Sequence, residues 1–252
     1  MNIGLLSAKR WAYWGLGAGL LGMLAACSTS HLVTHTVFET PTRYVRLAVD
    51  QTVSLKSKFS HPVAIPPDNM NALLAGLIVV EPVSLIPWPF QEERPSRHPL
   101  FSEEDIRFWS PLLTKALDVA TPEELVTFYQ ADVISPVSRN VTSGALFVKD
   151  DHMYFILSNY RAPIQFMADV GMADTDDDRR NPLRFMAPQQ TRLLFESEGV
   201  VASSQDEAYT VGMVPRERTV AIFFRQLRPR PMSPASDQLN SDIPSPQNSR
   251  PR

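Results

Sequence analysis

One cysteine, Cys27, stands in a chain of 252 residues. The chain cannot close a disulfide within itself, so its fold has to be held by buried apolar surface and backbone hydrogen bonding. A chain this long can manage that, because the fraction of surface buried on folding rises with size. Its length allows one domain of ordinary size or two small ones. A lone cysteine also excludes zinc–thiolate sites and iron–sulfur clusters, which draw several thiolates from their own chain.

The surroundings of Cys27 are as informative as its solitude. Lys9 and Arg10 precede an uncharged run from Trp11 to Ala26. As a helix that run would rise about 24 Å, at roughly 1.5 Å per residue. This is short of a ~30 Å hydrocarbon core, and Gly15, Gly17, Gly19 and Gly22 weaken it further. The length suits a secretory signal better than a permanent membrane helix. Leu24-Ala25-Ala26-Cys27 closes the run, and the whole resembles the signal peptide and lipobox of bacterial lipoproteins. The resemblance covers about the first 28 residues. It implies cleavage before Cys27, a diacylglyceryl group on the Cys27 thiol, and a membrane as partner through that lipid. Residue 28 is Ser rather than Asp, which in this class implies the periplasmic face of the outer membrane where the source has two membranes. No resemblance extends to the rest of the chain.

Removing residues 1–26 takes away two basic side chains, Lys9 and Arg10, and no acidic ones. The excess of 27 acidic over 24 basic residues therefore grows in the remainder. That balance argues against a nucleic-acid-binding face, which needs clustered basic residues, and against electrostatic adhesion to anionic lipid.

Composition divides the rest of the chain. Residues 27–42 (CSTSHLVTHTVFETPT) are rich in Ser and Thr and end near Pro41, and they read as a lipidated N-terminus and tether. A single globular domain is expected over 43–227. Tyr44 to Val49 alternate with period two and predict a strand. Asp68 is placed to cap a short helix carrying Met70, Leu73, Leu74 and Leu77 at helical spacing. Ile78-Val79-Val80 predicts a strand ended by Pro82. Residues 82–99 hold five prolines and no periodicity, and read as a long loop. Ser102 is expected to cap a helix whose Ile106, Trp109, Leu113 and Leu117 share one face. Pro111 predicts a kink there, or two helices with Ser110 as a second cap. Thr121-Pro122-Glu123-Glu124 resembles a capping box and predicts a brief helix. Residues 143–159 give the clearest hairpin, turning at Lys149-Asp150-Asp151-His152. Arg192 to Phe195 and Thr219 to Phe224 predict two more strands. Residues 228–252, with six prolines and few large apolar residues, cannot offset the entropy of ordering and read as a disordered tail.

These elements predict an α+β fold: a largely antiparallel mixed sheet with a few short helices packed on one face.

Candidate chemistry is sparse. His31 and His35 have the H-x-x-x-H spacing that zinc proteases use on a helix, but Leu32 occupies the position of the catalytic Glu. Asp174, Asp176 and Asp178 offer alternate carboxylates, as calcium loops do. Arg179 and Phe185 stand where an EF-hand needs Gly and Glu, so only a weak, exposed metal site would remain. Asp150, Asp151 and His152 fall in a tight turn, where aspartates serve the backbone. His61 and His152 are the histidines to inspect for an acid–base pair. No G-x-S-x-G elbow, S-x-x-K set or P-loop is present, and nothing calls for a cofactor. Trp88 and Phe90, set among prolines in the 82–99 loop, have the character of aromatic anchors for a partner. The expected function is a lipid-anchored cell-envelope protein that binds or scaffolds an envelope partner without catalysis. An envelope hydrolase with a dispersed active site and a ligand- or metal-binding lipoprotein are the alternatives.

Overall fold

The computed structural model describes residues 31–50, 58–82, 95–165, 178–202 and 216–230. The protein is α+β, with its strands in two antiparallel sheets. The larger sheet has the order β1 (His31–Glu39), β2 (Arg43–Asp50), β5 (Leu125–Ser135), β6 (Ser138–Lys149), β7 (His152–Gln165), β9 (Thr219–Ile222). The smaller runs β4 (Ser96–Pro99), β3 (Leu77–Glu81), β8 (Arg192–Phe195). Helices α1 (Pro67–Gly76) and α2 (Glu103–Val119) lie between β2 and β5 in sequence.

One face of the large sheet contributes Val45, Leu47, Val126, Phe128, Leu146, Phe155 and Leu157 to the main core, where Met70, Leu73 and Leu74 of α1 and Trp109, Leu113 and Leu117 of α2 meet them. The predicted helical face is therefore the buried one. The opposite face is also buried. Phe59 and Leu183 cover Phe147, Tyr154 and Ile156, and a polar node sews that cover down. Ser143 Oγ donates to the Pro182 carbonyl at 2.6 Å, while Asn159 donates to the Arg184 carbonyl and accepts from the Met186 N–H. Burial on both faces is why β6 and β7 read as near-continuous apolar runs.

Several expectations change. Within the tether expected over 27–42, His31–Glu39 form a strand, and 27–30 lie outside the described residues. β1 pairs with β2 from His31↔Asp50 to Glu39↔Tyr44, Phe38 packs edge-on against Phe108 at 5.3 Å, and Thr34 donates to the Leu47 carbonyl and to Glu124. Leu32, Val33, Val37 and Phe38 do not alternate with period two, so this edge strand lacks the pattern that would mark it in the sequence.

α2 is one helix, not two. Pro111 faces solvent, so the Arg107 carbonyl that loses its amide partner sits on the wet side. Ser110 is buried and donates to the Pro67 carbonyl instead of capping. Ser102 does form a capping box, reciprocated by Asp105. Asp68 lies in the first turn of α1 and not at its cap, which is Pro66. Thr121–Glu124 form a turn, and the Glu124 carboxylate accepts from the Thr121 N–H as a capping box would. Ser96–Pro99, expected within a loop, pair with Ile78–Glu81. Of the expected tail over 228–252, residues 228–230 are described and the rest lies outside the described residues. Arg230 N–H donates to the Asp68 carbonyl at 3.0 Å, and its guanidinium meets Glu103 at 2.6 Å.

Candidate functional site

Among the described residues, the most site-like place is where β7 departs from regular pairing. Val141 pairs with Ala162, Ser143 with Asn159 and Gly144 with Leu157. Tyr160 and Arg161 together stand opposite Thr142, a bulge that re-aims side chains. Arg161 has φ of 46°, in the left-handed region, and its N–H donates to Thr142 Oγ1 at 3.2 Å. Gln189 supplies the pairing that the bulge removes, accepting from the Tyr160 N–H at 3.0 Å and donating to the Tyr160 carbonyl.

The bulge brings Tyr160 to the small sheet. Tyr160 is buried, and its hydroxyl lies 2.7 Å from His98 Nε2 on β4. Burial raises the Tyr160 pKa, Arg161 opposing and Glu81 adding to the rise. The other ring nitrogen, His98 Nδ1, faces Ser96 Oγ at 3.4 Å. Beside this pair opens a cleft of about 880 Å³ whose walls include Arg97, His98, Arg161, Glu196 and Arg230, with Ile78, Leu100, Phe101 and Ile106 as its apolar lining.

A second feature lies at one end of the large sheet. β5 and β6 run on beyond the β1–β2 turn to a tip at Ser135–Ser138. There Val133, Ile134 and Val137 are 66%, 63% and 50% exposed.

The residues singled out in the sequence fare differently. His31 and His35 lie on a strand, where four residues span about 13 Å, so they do not share one face at ligating distance as a helix would allow. Asp178 is not an open ligand: it accepts from the Tyr129 hydroxyl at 2.6 Å and pairs with Arg139. Asp174 and Asp176 lie outside the described residues, as do Cys27, Trp88 and Phe90. Among the described residues no group of three metal-ligating side chains gathers, and no helix is long and apolar enough to cross a membrane. His61 is buried with Nε2 accepting from the Val148 N–H at 2.9 Å, a core role. His152 packs on Phe223 at 4.2 Å beside the hairpin turn. Asp151 pairs with Arg225 at 3.0 Å and the Asp150 N–H donates to Ser60, so this turn is structural.

His98, Tyr160 and Arg161 were not singled out by sequence. His98 and Tyr160 are 62 residues apart, and no local pattern marks either.

No family model, curated protein or solved structure matches the chain.

Proposed function

We propose that this is a lipid-anchored cell-envelope protein that docks an envelope protein partner at the β5–β6 tip. The exposed apolar tip carries the reading. Single exposed apolar residues are ordinary, but Val133, Ile134 and Val137 cluster at one projecting turn. Position names the occupant. Only residues 28–30 separate Cys27 from β1, so a lipid on Cys27 holds His31 within about 14 Å of the anchor. His31 is level with Asp50, and the ladder runs from there through Tyr44↔Tyr129 to Ile134. That path is about 36 Å along the strand direction at ~3.3 Å per residue. With the strands directed away from the anchoring bilayer, as this reading has it, a tip that far from His31 meets a protein of the envelope rather than that membrane's lipid.

A photo-crosslinking residue at Val137 in the lipidated protein should yield one defined protein adduct, abolished by Ile134→Lys at unchanged melting temperature. Adducts to lipid only, or a protein adduct that survives Ile134→Lys, would overturn the docking reading. The ligand-binding alternative is favoured by a separate observation, the cleft beside His98 and Tyr160.

A further inference from the structure

We propose that the cleft between β4, α2 and the β7 bulge binds the phosphate group of a small organic ligand. Charge is the first argument. Three carboxylates border the cleft, Glu103, Asp105 and Glu196. Glu103 is taken by Arg230 at 2.6 Å, and Asp105 by Arg43 at 3.3 Å and by the capping of α2. Arg97 and Arg161 reach the same space, and neither has a carboxylate partner among the described residues. Of the carboxylates that line the cleft, only Glu196 is left without an arginine partner to oppose Arg97 and Arg161, and Glu81 of β3 stands outside the lining.

Placement is the second argument. The two cations come from different elements, β4 and the β7 bulge. Donors arriving from separate walls suit a tetrahedral oxyanion, with several oxygens to share, better than a planar carboxylate, which one guanidinium fork satisfies. The bulge that sets Arg161 at positive φ is held by Thr142 on one side and Gln189 on the other. The backbone conformation is therefore imposed by its neighbours, as expected where a side chain must be aimed.

Size is the third. At about 880 Å³ the cleft far exceeds a bare phosphate and falls in the range of small-molecule sites. Ile78, Leu100, Phe101 and Ile106 offer apolar surface to the ligand's body. A soluble phosphate ester and a phospholipid headgroup share this chemistry.

The test is calorimetry on the full chain in uncharged detergent, with inorganic phosphate, glucose 6-phosphate and dihexanoyl phosphatidylglycerol as separate probes. The variant is Arg97→Gln/Arg161→Gly; Arg97 is exposed, and glycine accepts the positive φ. We expect saturable binding of at least one organic phosphate, weakened about tenfold or more in the variant at unchanged melting temperature. Preference for the sugar phosphate assigns a soluble ester, and preference for the phosphatidylglycerol a headgroup. Absence of binding by all three probes, or binding that the variant retains, overturns the proposal. Should the double variant not fold, Arg97→Gln alone carries the same comparison.

Discussion

His61 shows how one buried side chain couples this fold to acid. Burial lowers its pKa from the usual 6.5, against opposing contributions from the Glu124 and Thr121 backbone. The unfolded chain therefore binds the proton more readily. The stabilisation is complete above about pH 6.5 and is withdrawn as pH falls below it. His61→Gln, which keeps an acceptor for the Val148 N–H, should flatten the loss of melting temperature between about pH 6.5 and 5. Glu124 adds to acid sensitivity further down. Burial raises its pKa, but hydrogen bonds from Thr34 and the Thr121 N–H outweigh this and leave it below the usual carboxylate range. Gly144 is a steric case. A Cβ there would lie 2.0 Å from the Ile156 carbonyl oxygen on the neighbouring strand. Backbone cannot step aside as a side-chain tip can, so Gly144→Ala should cost about 3 kcal/mol in denaturant unfolding. The sequence marks His61 only as a histidine to inspect and does not mark Gly144, because the role of each is set by an atom of a distant segment.

Elements were legible where burial writes a period into the chain. The buried face of α2 and strands β2, β3, β8 and β9 follow directly from apolar spacing, as does the β6–β7 hairpin. β1 and β4 did not: both expose most of their side chains, whereas the edge strands β8 and β9 each bury alternate residues. The cleft was illegible for a related reason: it depends on an edge strand, a bulge and the register between them. Pro111 marks the opposite error, a strong local signal overruled by tertiary packing. Ile106, Trp109, Leu113, Ala116 and Leu117 are all buried, enough apolar surface to hold a helix across a residue that costs up to ~3 kcal/mol in a helix interior. Pro111→Ala should accordingly raise stability by about 1–3 kcal/mol, measured by urea unfolding at constant m-value.

For the whole molecule, the anchor and the folded domain are separable expectations. Cys27→Ser should abolish fatty-acid labelling and release the protein from membranes, while its melting temperature stays unchanged because β1 begins beyond that residue. Retained labelling would refute the lipid assignment. The large sheet also has a mechanical consequence. His31 begins one edge strand, and the β5–β6 tip lies at the opposite end of the ladder, so tension between them runs along the strands. In an antiparallel ladder the hydrogen bonds lie across that direction. They are loaded in shear, and a whole row of them must fail together instead of opening one after another like a zip. Pulled between residue 31 and residue 137, the domain should resist force far better than when pulled between residues 31 and 50, the paired open ends of the β1–β2 hairpin. The order of the strands makes the sheet a tension member along the line that joins His31 to the tip.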